Sequence, residues 1–227
     1  MYDPLVHLHK TVLMQRLLDA VSRGYHWHTS GTVPLCKAQN LAKKFADRYD
    51  VHKSANQRAY DKRKRKASAR LFMLNVPNSS DLYWWLLATG GNGAIHDNEK
   101  LRCALDSRSR IRTENDYELV RRTRLSTKGG GTVWSWRMTS ECYYQWRERC
   151  ISSCRRRESF VITQTIGSLY RTPGFSGTRE QVGKLIALVR AEWRRRHGNL
   201  DALELPPALP YVERLANTAV LLSMLRK

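Results

Sequence analysis

Two apolar runs, Arg70-Leu-Phe-Met-Leu-Asn-Val76 and Leu82-Tyr-Trp-Trp-Leu-Leu-Ala88, stand on either side of Pro77-Asn-Ser-Ser80. Short, nearly continuous apolar stretches bounded by turn residues are buried strands rather than helix. They predict two paired strands that other elements must cover on both faces. A second strand pair, Tyr117–Arg124 and Thr132–Met138, is joined across Gly129-Gly-Gly131 and reads as a β-hairpin with a flexible tip.

The covering elements show the helical period. Pro4 sets a start, and Leu5, Leu8, Val12, Leu13, Leu17 and Val21 repeat until Gly24. Residues 25–33 read as a short strand and turn, with Thr29-Ser30-Gly31 in the turn. From Pro34 a second helix places Leu35, Ala38, Leu41, Ala42, Phe45 and Tyr49 on one face. Residues 56–68 are a helix or a mobile arm, and a short helix is expected around 97–105. Further helices are predicted over 139–155, 178–197 and 211–225, with a loop through Thr172-Pro-Gly174. In the helix at 178–197, Thr178 and Gln181 have capping-box spacing, and Val182, Leu185, Ile186, Val189 and Trp193 form one stripe before Gly198. The expected fold class is α+β: an antiparallel sheet of four to five strands flanked by helices, with a helical C-terminal region. The expected division is an α+β core over 1–156 and a helical region over 157–227, with a single domain holding both as the alternative.

Forty Lys and Arg against twenty Asp and Glu give a net charge of +20. The excess runs along the whole chain instead of sitting in a tail, and seven Trp and ten Tyr supply a core, unlike a disordered basic protein. Such a charge repels itself in a compact domain, so a polyanionic partner is expected, nucleic acid first, DNA or RNA. The densest block holds Arg58, Lys62, Arg63, Lys64, Arg65 and Lys66, closed by Arg70. A solvated helix face would interleave acids for i,i+4 pairs, and only Asp61 is present. A second cluster, Arg121, Arg122 and Arg124 with Lys128 and Trp134, lies on the hairpin, where a β-wing would enter a groove or stack on bases. Arg155-Arg-Arg157 and Arg194-Arg-Arg196 end helices, where the dipole alone favours cations.

Enzymatic signatures are sparse. His26 and His28 alternate onto one strand face, an arrangement that suits a divalent metal. His26-Trp27-His28 looks like the metal motif of rolling-circle initiators and relaxases, which would make Tyr143 or Tyr144 the nucleophile. The Tyr-x-x-Lys spacing of those enzymes is missing, because Trp146 and Arg147 occupy the positions. Gly90-Gly-Asn-Gly93 is followed by no Gly-Lys-Ser/Thr and is no P-loop. Glu99, Asp116 and Glu118 are candidate nuclease carboxylates or charge partners. Cys36, Cys103, Cys142, Cys150 and Cys154 form no CxxC pair and no zinc spacing. No catalytic residue, metal or cofactor is therefore expected. With no secretory signal and no run of about 20 apolar residues, a cytoplasmic protein with reduced thiols and no membrane partner is expected.

Gly31-Thr-Val-Pro34 with Lys37-Ala38, Ala69-Arg-Leu-Phe72, Trp84-Trp-Leu-Leu87 and Tyr170-Arg-Thr-Pro-Gly-Phe-Ser-Gly177 together resemble uncharacterised accessory proteins of bacterial plasmids and integrative conjugative elements. The resemblance implies a mobile-element setting and nucleic-acid transactions, and transfers no catalytic residue. The expectation is a non-enzymatic nucleic-acid-binding protein, with further protein partners in a nucleoprotein complex. The alternatives are a metal-dependent nicking enzyme using His26 and His28, and a module that docks an acidic protein.

Overall fold

The computed structural model describes residues 2–77, 79–124, 127, 129–156, 159–200 and 203–226. It is α+β and resolves into two compact units, residues 1–111 with 214–227, and residues 112–213. This grouping differs from the 1–156 and 157–227 division read from the sequence.

The first unit contains β1 (Leu5–His7), α1 (Lys10–Ser22), β2 (Trp27–Pro34), α2 (Leu35–Tyr49), α3 (Ala55–Arg63), β3 (Ala69–Asn75), β4 (Asp81–Ala88), α4 (Ala94–Asn98) and β5 (Arg102–Cys103). The second contains β6 (Arg112–Thr113), β7 (Tyr117–Thr123), β8 (Thr132–Met138), α5 (Ser140–Arg155), α6 (Ser159–Tyr170) and α7 (Ser176–His197). The chain then returns to the first unit as β9 (Ala219–Leu221) and a 3₁₀ turn, Leu222–Arg226.

The first unit's sheet has six strands in the order β5-β2-β4-β3-β1-β9. It corrects the expected antiparallel sheet of four to five strands: it is larger, and mixed, because β1 runs parallel to β3. The anticipated strand pair is β3 and β4, antiparallel with Phe72 opposite Trp85. Burial on both sides of this pair explains the continuous apolar runs. α2 packs on one face, where Ala38, Ala42, Phe45 and Tyr49 join the clusters that contain Val33, Met73, Leu82 and Leu86.

Three local expectations need correction. Thr29-Ser30-Gly31 is no turn but the interior of β2, paired with Leu86, Trp85 and Trp84. Gly31 gives the Trp84 indole room there, since a Cβ would sit 3.0 Å from it and the ring would have to shift. Leu5–His7 is strand, not the first turn of α1, since Val6 pairs with both Met73 and Val220. Residues 211–225 form no α-helix: 211–218 are irregular, Ala219–Leu221 is β9 and the 3₁₀ turn follows. Arg214 grips both oxygens of Asp19 at 3.0 and 2.6 Å, Leu215 N donates to Gln15 Oε1, and Arg16 donates to Leu215 O, so this backbone is satisfied by α1 side chains.

The second unit is a separate three-stranded antiparallel sheet, β6-β7-β8, with three helices. The hairpin expected over 117–138 is β7–β8, with Arg121 opposite Trp134 and Leu119 opposite Trp136. The stripe of α7 is buried as expected from Val182 to Trp193. Its proposed capping box, however, is used otherwise. α7 begins at Ser176, Thr178 Oγ1 donates to Trp136 O, and Gln181 bonds both the N–H and the C=O of Met138, at 2.7 and 3.1 Å. Helix α6 falls where a loop was expected. Its β-branched residues and Gly167 are poor helix formers, each costing at most about 1 kcal/mol, while burying Ile162, Ile166 and Leu169 contributes about 1.5–3 kcal/mol per side chain. Packing decides the outcome.

Candidate functional site

The basic block is a helix followed by a clasped turn. Ser54 caps α3: its Oγ accepts from Gln57 N at 3.3 Å, and Gln57 Oε1 accepts from Ser54 N at 2.8 Å. Asp61 is 7% exposed and takes Lys53 Nζ at 3.0 Å, while the same ammonium reaches Asp50 at 2.8 Å. The one acid of the block is thus directed inward. After α3 the chain turns through Arg65 at φ +55°. Lys66 N donates to Asp61 O, Asn92 N to Arg65 O and Ala67 N to Asn92 O, tying the turn to the glycine-rich segment 90–93. Gly91 (φ +125°) is obligatory in this clasp, since a Cβ would lie 2.5 Å from Arg65 O.

Lys62, Arg63, Lys64, Arg65 and Lys66 are all exposed and make no ion pair among the described residues. Lys64 Nζ stands 5.8 Å from the ring of Tyr60, itself 57% exposed. The other two expected ligands are built into the unit. Arg58 donates to Lys53 O. Arg70 lies 4.8 Å from the Phe72 ring and 5.9 Å from Tyr25, and burial, then the Arg58 charge, pull its pKa below the usual arginine range.

On the hairpin, Arg121 and Arg124 are exposed, with Arg121 Nε donating to Thr132 Oγ1 at 2.9 Å. Arg122 pairs with Glu180 of α7. Trp134 is half-buried, whereas Trp136 is core at 0% exposure. Lys128 lies outside the described residues.

The second unit also holds a cleft of about 850 Å³, assembled from the hairpin (Arg122, Arg124, Val133), α7 (Arg179, Gly183, Arg190) and the segment Pro206–Tyr211. That segment is pinned as a wall. Tyr170 Oη donates to Pro206 O at 3.2 Å, Arg179 Nε to Leu209 O at 2.5 Å, and Val212 N to Gly174 O at 3.1 Å. Gly174 permits the last contact, because a Cβ there would be 2.0 Å from Pro210 O. The Arg179 guanidinium stacks 3.6 Å from the centre of the Tyr211 ring. Reading by charge density missed Tyr170, Arg179, Gly183, Arg190 and Tyr211. The signals available were the prolines at 206, 207 and 210 and a glycine interrupting a strong helix.

The catalytic candidates are engaged elsewhere. His28 is buried on β2 and donates from Nε2 to Ser109 O at 2.6 Å, and burial lowers its pKa. No group of three or more His, Cys, Asp or Glu that could hold a metal ion occurs among the described residues. Glu99 accepts from Tyr49 Oη at 2.7 Å, and Glu118 accepts from Arg137 Nε and Nη2 at 2.8 and 2.6 Å. Tyr143 and Tyr144 belong to α5 of the second unit, while His26 and His28 belong to the first. Burial pushes the Cys150 and Cys154 thiols up to about 11, which leaves them unreactive. Of the two arginine triplets, Arg157 lies outside the described residues and Arg195 pairs with Glu192. No helix among the described residues is long and apolar enough to cross a membrane. The chain matches no protein-family model, no curated protein and no solved structure.

Proposed function

We propose that this protein binds nucleic acid without cutting it, and that the turn Lys62–Lys66 of the first unit is its principal phosphate grip. The observation that carries this reading is the arrangement of that turn. Five consecutive cations project from backbone fixed on both sides, and the one nearby acid points inward. Such a cluster repels itself in water and gains stability when phosphates replace its counterions. Its ligand class is the phosphate backbone of DNA or RNA, because phosphate contacts position a protein without reading sequence. The preference for a binder over a nicking enzyme is supported by His28 Nε2, Glu99 Oε1 and Glu118 Oε1, which are engaged in internal hydrogen bonds. The mobile-element setting rests on the resemblance of the sequence segments described above.

The test is the salt dependence of duplex binding. Affinity should fall linearly on a log–log plot against salt, with a slope of about −0.9 per phosphate neutralised. Changing Lys62, Arg63, Lys64, Arg65 and Lys66 together to Gln should leave the circular dichroism spectrum unchanged, because these side chains are exposed. The same change should weaken duplex binding at least about ten-fold and flatten the slope. A folded variant with unaltered affinity moves the grip elsewhere, and a flat salt profile in the parent protein favours an acidic protein as partner.

A further inference from the structure

We propose that the cleft of the second unit is a binding site for a short single-stranded nucleic-acid segment, with bases over the Gly183 floor and phosphates on Arg124 and Arg190. This inference rests on the nucleic-acid reading and adds a second site of different chemistry. Three observations carry it.

The first is the floor. Gly183 lies in the middle of the 22-residue helix α7, where glycine costs about 1 kcal/mol relative to alanine. A Cβ built on it meets nothing within 4 Å, so no neighbour in the fold requires its absence. What the missing side chain leaves is open space in the cleft, beside Val133, Val182 and Ile186. A flat apolar group fits there, and a nucleobase is flat with a π face.

The second is the charge. Arg124 and Arg190 line the cleft, are exposed and make no ion pair among the described residues. Arg122, by contrast, is held by Glu180, which also accepts from Lys184 at 2.8 Å. The Arg179 guanidinium, already stacked on Tyr211, extends the aromatic surface at the rim. Cations around an apolar and aromatic floor are the combination used for single strands, in which phosphates and exposed bases are bound together.

The third is size. At about 850 Å³ the cleft lies within the range of about 300–1,000 Å³ typical of small-ligand sites. It admits a nucleotide or two, but not a duplex, whose bases are stacked away inside a rod. An acidic peptide would use the arginines, yet would leave the floor idle.

The experiment uses the full chain and two fluorescein-labelled probes, an oligothymidylate of about six nucleotides and a blunt duplex, read by anisotropy. Gly183→Leu fills the floor with a better helix former, and Arg124→Gln with Arg190→Gln removes the two free cations. Each should lower oligothymidylate affinity about ten-fold while changing duplex affinity less than about two-fold, because duplex binding is assigned to Lys62–Lys66. Unchanged oligothymidylate affinity in both folded variants overturns the cleft, even where duplex binding persists. An equal loss for both probes also overturns it, since the effect would then not be specific to single strands. Failure of the parent protein to bind either probe removes this inference and the nucleic-acid reading together. Polyglutamate binding in the parent protein that is kept in Gly183→Leu and lost in Arg124→Gln with Arg190→Gln, while oligothymidylate affinity is unmoved by Gly183→Leu, reassigns the cleft to an acidic peptide.

Discussion

The two units handle positive charge in opposite ways. In the first, five exposed cations crowd one turn, and Asp61, the acid that would have diluted them, is buried against Lys53. In the second, arginines are distributed among carboxylates: Arg122 with Glu180, Arg137 with Glu118, Arg147 with Glu148, Arg195 with Glu192. Arg124 and Arg190, which make no ion pair among the described residues, face a concave space with an apolar floor. On the proposed reading the first arrangement would act through long-range attraction, which salt weakens. The second would act through shape and desolvation at short range. A run of charge in a sequence therefore marks a surface that attracts, whereas a cleft is assembled from residues far apart and leaves no such run.

The largest expected effect that tests this division comes from the core of the second unit. Trp136 is fully buried opposite Leu119, and Trp136→Ala should cost about 4 kcal/mol of stability in urea unfolding. If the two surfaces are separate devices, duplex binding should keep its steep salt dependence in this variant while oligothymidylate binding is lost. Loss of both together would merge them.

Only the first unit should show a histidine-driven acid limb, whereas buried phenols or thiols give both units an alkaline one. Burial, and then the Arg16 and Arg70 charges, lower the His7 pKa from 6.5 to about 4. The unfolded chain then takes up the proton first on acidification. Stability is fully present above about 6.5 and is lost as pH falls towards 4, by at most about 3 kcal/mol. His28 moves in the same direction. In the second unit the largest shifts are upward: burial raises Cys150 and Cys154 from 9.0 to about 11, and Tyr117 rises as well. Their contribution is complete below about 9 and is lost as pH rises through 11. Urea midpoints measured across pH should show an acid limb relieved by His7→Leu and an alkaline limb relieved by Cys150→Ala with Cys154→Ala. Limbs unchanged in those variants would break the contrast.

What could be read in advance follows the same physics. Strands β3, β4, β7 and β8 and helices α1, α2, α5 and α7 carry their own periodicity or turn signals, and they appear within a few residues of expectation, α1 after its first turn is lost to β1. Elements that depend on distant partners were not legible. β1 and β9 exist because Val6 and Val220 meet across nearly the whole chain, and α6 exists because its neighbours bury Ile162 and Ile166. The sheet was underestimated for that reason, since its edge strands are only two or three residues long and have no pattern of their own. The basic turn was visible as a run, but the inward direction of Asp61 and the stacking of Arg70 on Phe72 were not. In the cleft, Arg122 and Arg179 are more than fifty positions apart, and only the fold brings them together.

The smallest effect distinguishes the helix from the clasp as the holder of the basic turn. Ser54→Ala removes the side-chain half of the capping box and should cost about 1 kcal/mol. That loss should appear locally, as amide exchange about five-fold faster at Gln57 and Arg58 in α3. The turn beyond Arg63 has a second support, because Asn92 bonds both Arg65 O and Ala67 N, and these bonds do not pass through the cap. Duplex affinity and its salt slope should therefore stay at the parent values while the helix frays. If the slope falls with the cap, the cations are positioned by α3 itself, and a clasped turn gives way to a helix end that orders on its ligand.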